Sequence, residues 1–117
     1  SVASAEDIIE IQNSVKNVFV DDKVFIYIAK LIEATRNHPD IKLGVSPRGT
    51  IALTAMVKAA AMARGRDYAI PDDVSLVFKD VTEHRILLSS KAKLSGLTPS
   101  DVLNDIIENI PVPFIEF

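Results

Sequence analysis

The 117 residues are 48% hydrophobic and 25% charged, with four Gly, six Pro and no Cys or Trp, a length and balance that fit one self-sufficient core and exclude disordered or collagen-like chains. Without cysteine there is no disulfide framework, thiolate metal site or cysteine nucleophile, and the longest apolar stretch, residues 51–63, is interrupted by Lys58 and falls short of the roughly 20 residues of a membrane span. Net charge is −3, yet residues 41–66 hold five basic side chains (Lys42, Arg48, Lys58, Arg64, Arg66) and no acid, against eight basic and sixteen acidic residues elsewhere, which predicts a single basic surface meeting an anion or an acidic partner.

The chain opens on Ser1 with neither a basic leader nor an apolar signal segment, so it reads as a piece of a larger protein. Ser4 and Asp7 resemble a capped start, after which Ile8, Ile11, Gln12 and Val15 trace the stripe of a first helix. The β-prone residues 18–20 follow, and the only segment of similar character is 68–70, so a very short parallel pair is expected between them. Asp21 or Asp22 caps a second helix, buried through Val24, Ile28, Leu31, Ile32 and Thr35 and ended by Pro39.

The third helix carries the strongest local signals. Ser46 supplies a capping oxygen, Pro47 is preset for the first helical position, and Gly65 suits the left-handed residue past the last turn. Its heavier stripe is Leu53, Met56, Val57 and Ala60, and alanines fill much of the rest, so neighbours are expected to approach closely. Pro71, Asp72 and Asp73 open a fourth helix with a favourable first turn, and Val74, Val77, Phe78 and Val81 form its buried stripe. His84 and Arg85 sit near its carboxyl end, where cations are favoured. Residues 88–97 read as a loop. Thr98 and Pro99 then repeat the cap-plus-proline start of a fifth helix, whose apolar stripe runs through Val102, Leu103, Ile106, Ile107 and Ile110. The apolar tail from Pro111 is either tucked against the bundle or covered by another part of the protein.

Enzyme constellations are missing. Gly44 to Gly49 has the spacing of a phosphate-binding loop, but Thr50 and Ile51 stand where Lys and Ser or Thr are required, and Pro47 removes a backbone donor. His38 and His84 lie in different elements without ligand-spaced acids, so no metal site is expected. The pairs Asp21–Asp22 and Asp72–Asp73 stand at helix starts, where capping explains them. Direct nucleic-acid binding is disfavoured by the acidic whole and by a basic segment without interleaved aromatics.

Arg48 is the misplaced charge. It occupies about the second position of the third helix, where the positive end of the dipole disfavours a cation by a few tenths of a kcal/mol to about 1 kcal/mol. It shares a face with Ala52, Ala55 and Ala59. Two readings stand: a phosphate receptor made of a guanidinium and a helix N-terminus aimed at an interface, or an arginine bridged to Asp40 or another local carboxylate.

The runs 43–49 (LGVSPRG), 63–68 (ARGRDY) and 71–74 (PDDV), then His84-Arg85, preceded by Tyr27-Ile28 and 34–39 (ATRNHP), together resemble the carboxyl-terminal lid of MoxR-type AAA+ ATPases. The resemblance covers nearly the whole chain except its last few residues. It implies the small helical half of an ATP- and Mg-dependent chaperone or maturation machine, working with a larger P-loop domain, neighbouring subunits of a ring that is commonly a hexamer, and a client protein, in the cytoplasm. The Ser-Pro-Arg run matches the sensor-2 motif, which assigns Arg48 to the terminal phosphates of ATP, in the catalytic and nucleotide-binding roles of the intact ATPase. The isolated chain is then no enzyme and holds no cofactor of its own. Two positions depart from the pattern: Gly49 stands where Ala is more common, loosening the first turn by roughly 1 kcal/mol, and Thr82 stands where Leu is common. Arg64, Arg66, Asp67 and Tyr68 are read as structural.

The expectation is therefore an all-α bundle of about five helices, a single AAA+ lid domain over residues 1–117. The rival is a stand-alone helical interaction module that uses no nucleotide.

Overall fold

The computed structural model describes residues 17–114. The expected first helix and residues 115–117 lie outside the described residues. Among them run five helices, α1 (Asp22–Asn37), α2 (Pro47–Ala63), α3 (Pro71–Thr82), α4 (Ser90–Leu94) and α5 (Pro99–Asn109), with a two-stranded sheet of β1 (Ile41–Leu43) and β2 (Leu87–Leu88).

Each helix starts where its local chemistry directs. Asp21 caps α1 by accepting the Lys23 N–H at 2.9 Å, and Ser46 caps α2 by accepting that of Gly49. Thr98 and Asp101 form a reciprocal capping box on α5. Gly65, at φ +79°, ends α2 in the left-handed conformation that its lack of Cβ makes free of strain.

The packing unit is the α2–α3 hairpin, with α1 and α5 closing over it. Tyr27 and Leu31 of α1, Leu53 of α2, Phe78 of α3 and Leu103 of α5 are all fully buried in one apolar core. The inward line of α2 is Gly49, Leu53, Val57 and Ala61, which corrects the expected stripe: Met56 is 47% exposed and Ala60 only partly buried. Small residues at both ends of an i, i+4 row let α3 lie close along it, and that row wins over the bulkier one.

The parallel contact between residues 18–20 and 68–70 is a single bridge. Phe19 donates to Asp67 O and accepts from Ala69 N, both at 2.8 Å, while Val18, Val20 and Ala69 are buried beside it. The sheet itself is antiparallel and elsewhere: Ile41 pairs with Leu88 and Leu43 with Leu87. The segment read as a loop over 88–97 thus contains part of β2 and the whole of α4, capped by Ser89 onto the Ala92 N–H and stopped by Gly96 at φ +81°. At the other end of the chain, residues 111–114 run beside α1, where Lys23 Nζ donates to the Phe114 carbonyl at 3.2 Å. Val112 and Phe114 remain exposed.

Candidate functional site

The head of α2 is built by three neighbours. The segment from Gly44 to Ser46 leaves β1 and lies against the last turn of α1, so closely that a Cβ on Gly44 would come within 2.7 Å of Thr35 O and 2.8 Å of Arg36 Cα. Only glycine permits that approach. Val45 is then buried, and Ser46 and Pro47 start the helix.

Capping leaves one amide over. Pro47 has no N–H, the Gly49 N–H is held by Ser46 Oγ, and the Thr50 N–H makes the first helical bond to Ser46 O. Among the described residues the Arg48 N–H and the Arg48 guanidinium both lack a partner, and Arg48 is exposed. Asp40, the local carboxylate that might have claimed this arginine, lies instead beside His38, with a carboxylate oxygen 4.0 Å from Nδ1 and its backbone N–H donating to that nitrogen at 3.0 Å, and none of the ion pairs among the described residues includes Arg48. The bridged reading of Arg48 therefore fails among the described residues. On the same helix face Ala55 is exposed and Ala52 and Ala59 are partly so, leaving that face open.

Beside this turn runs an open groove lined by Arg36, Lys42 and Arg85 together with residues 43–47. Among the described residues three cations and no carboxylate line it. Arg48 stands on the next residue along, outside the groove lining. Arg85 reaches the site from the turn after α3, close enough that a Cβ on Gly49 would sit 3.3 Å from its Cδ. In sequence, Arg85 stands at a helix end and both Arg36 and Arg85 fall outside the acid-free basic stretch 41–66. Folding alone brings these two side chains to the head of α2.

The same geometry divides the basic segment. At 1.5 Å per residue the 17 residues of α2 separate its ends by about 25 Å. At the far end Arg66 is bonded to the fully buried Asp73, Arg64 lies 3.8 Å from the same oxygen, and the Arg66 guanidinium stands 5.8 Å from the Tyr68 ring centre. Asp73 also accepts the Ile70 N–H at 2.8 Å. The expected single basic surface is thus corrected to two separate ends: at the carboxyl end Arg66 is the counter-charge of the buried Asp73, while Arg64 stays 46% exposed and 3.8 Å from the same oxygen. The 64–68 segment is structural, as read.

His38 is structural too. With Nδ1 accepting a backbone N–H, its Nε2 donates to Asp105 at 2.9 Å and ties the end of α1 to α5. Thr82, fully buried, satisfies its hydroxyl on Phe78 O. Among the described residues no three His, Cys, Asp or Glu side chains converge to hold a metal ion, and no helix is long and apolar enough to cross a membrane.

The chain is similar to known proteins over most of its length. Residues 33–106 match the AAA lid domain family. YeaC of Bacillus subtilis is 39% identical over 112 residues, covering 96% of this chain and 35% of that protein. Chaperone MoxR1 of Mycobacterium tuberculosis is 31% identical over 121 residues, covering 96% and 32%. A crystal structure of a candidate ATPase from Cytophaga hutchinsonii superimposes with a TM-score of 0.87 at 29% identity, over 93% of this chain and 36% of that one. The chain spans about a third of the length of these curated relatives. It belongs to the AAA lid domain family, in the form carried by MoxR-type AAA+ proteins.

Proposed function

We propose that this lid senses the terminal phosphates of ATP held by a larger nucleotide-binding domain, with Arg48 as the sensing side chain, and converts nucleotide state into domain movement. The observation that carries the reading is that, among the described residues, Arg48 has both its guanidinium and its helix-head amide without a partner, beside a groove lined by three cations and no acid. Charge-assisted bonds from such a set favour a phosphate oxygen over neutral ligands. The residues present therefore fit the phosphate end of a nucleotide. They do not fit its Mg ion, whose acidic ligands belong in this reading to the larger domain.

ATP with its Mg supplies the phosphoanhydride whose cleavage drives the cycle. Arg48 holds the lid in one orientation while a terminal phosphate is present, and loses that hold when the phosphate leaves. The rigid α2–α3 hairpin carries the change outward to whatever packs on the lid. Setting the lid in a ring, commonly a hexamer, that acts on a client protein in the cytoplasm follows the family resemblance, and MoxR1 is itself named a chaperone.

The test is Arg48→Ala in the intact protein. Turnover of ATP should fall by on the order of 10²-fold if the guanidinium stabilises transition-state charge. Unchanged turnover defeats the assignment. The reading also requires a P-loop upstream in the same reading frame, which the rival interaction module does not.

A further inference from the structure

Arg48 is only as well aimed as the backbone beneath it, and that backbone is held in an unusual way. Val45 belongs to neither β1 nor α2, yet both of its main-chain polar groups are satisfied by side chains of consecutive residues at the end of α1. Its N–H donates to Thr35 Oγ1 at 3.1 Å, and its carbonyl accepts from Arg36 Nε at 2.9 Å. Thr35 is fully buried and its hydroxyl is used in full, donating to Ile32 O at 2.6 Å. The Val45 side chain in turn lies against the first turn of α2, with Cγ1 2.5 Å from where a Cβ on Gly49 would be, one residue beyond Arg48.

We infer that Thr35 and Arg36 are positioning residues for Arg48: they clamp Val45 at both backbone groups and so make the last turn of α1 and the head of α2 one body. This inference rests on the sensing role proposed above. Neither side chain needs to touch nucleotide. Without the clamp the 44–46 segment keeps its bonds to α2 but loses those from Thr35 and Arg36 of α1, and a displacement near 1 Å at a reacting group is enough to cost up to about 10²-fold in rate.

The experiment is a set of mutant cycles on steady-state ATP turnover by the intact protein. Thr35→Val keeps the shape and removes the hydroxyl, Thr35→Ser keeps the hydroxyl, and Arg36→Met removes the Nε donor while keeping an apolar stem. With Arg48 present, Thr35→Val and Arg36→Met should each lower kcat by on the order of tenfold while Thr35→Ser stays within about twofold. In an Arg48→Ala background Thr35→Val should cost nothing more, because its effect passes through the missing guanidinium, and Arg36→Met should cost less than with Arg48 present, the remainder being the groove charge it also removes. Equal losses in both backgrounds, or no loss with Arg48 present while Arg48→Ala is itself defective, overturn the clamp and leave the sensing role intact. Full turnover by Arg48→Ala alone sinks the sensing role and the clamp together. Arg36 is exposed, so its variant keeps the comparison open should Thr35→Val fail to fold.

Discussion

A methyl group added at Gly49 would stand 2.5 Å from Val45 Cγ1. Helix propensity alone favours that change by about 1 kcal/mol, since alanine loses less backbone entropy than glycine. Val45 cannot give way, because it is β-branched, 1% exposed and held at both backbone groups. Forcing a methyl into such a site costs about 1–3 kcal/mol, so Gly49→Ala should lower the melting temperature. In a Val45→Ala background, where the obstruction is gone, the same substitution should become neutral or stabilising. Gly44→Ala should be worse than either, because its new methyl meets the backbone of α1 rather than a side chain. Thermal melts of the four variants check the order. The sequence reading saw Gly49 only as a loosened turn, since Val45 and Gly49 meet through the fold of a loop onto a helix end. Local signals fared better: Ser46, Pro47, Gly65 and the anomalous charge of Arg48 were all legible, each depending on residues within one turn. Arg36, Arg85 and Thr35 were not legible as parts of the site, because their partners lie 9 or more residues away in sequence.

Among the elements, α1, α2, α3 and α5 were readable because each is long enough for a 3.6-residue period and begins with a cap or a proline. The five residues of α4 bury only Ala92 and show no period. Ser89 and Gly96 were its one trace, a cap and a left-handed stop at a spacing too short to be trusted as a helix. Strands of three and two residues leave no alternation to read, so the antiparallel β1–β2 pair escaped, and the expected parallel pair shrank to one bridge. The start of α5 allows a direct measurement of what its cap contributes. Backbone and side-chain hydrogen bonds from Thr98 hold the Asp101 carboxyl below its ordinary value of 3.8, with Lys79 adding in the same sense against a small opposing effect of desolvation. A folded-state pKa below the unfolded one means stabilisation present in full above 3.8 and lost as pH falls through the lower, folded value. Asp101→Asn, which cannot titrate, should therefore be less stable than the parent at neutral pH and converge with it in acid. Urea unfolding midpoints across that range measure the gap, and a gap independent of pH would show that the carboxylate's charge contributes nothing.

For the molecule as a whole, α2 works as a spacer with chemically unlike ends. At its carboxyl end two arginines share one buried aspartate, which Arg66 bonds directly and Arg64 only approaches to 3.8 Å. At its amino end the cations are exposed and no carboxylate lines the groove between them. The amino end is therefore where cations converge on a shared groove. Yet a lone guanidinium, one amide and three exposed cationic neighbours offer few preorganised bonds, and the sequence contains no loop that wraps a triphosphate. Millimolar dissociation corresponds to only about 4 kcal/mol, which a few exposed charge-assisted bonds can supply and hardly exceed. Titrating the 117-residue chain with Mg-ATP should therefore shift the backbone amides of Arg48 and its neighbours, with lesser changes at Arg36, Lys42 and Arg85, and should not saturate below the millimolar range. The amides of residues 64–68 should stay still, and no inorganic phosphate should accumulate. Rising ionic strength should erase the shifts, because exposed charges are screened within about 8 Å at physiological salt. Shifts centred on Arg64 and Arg66 would reverse the assignment of the two ends, since they would require the Asp73 pairs to open in favour of a ligand.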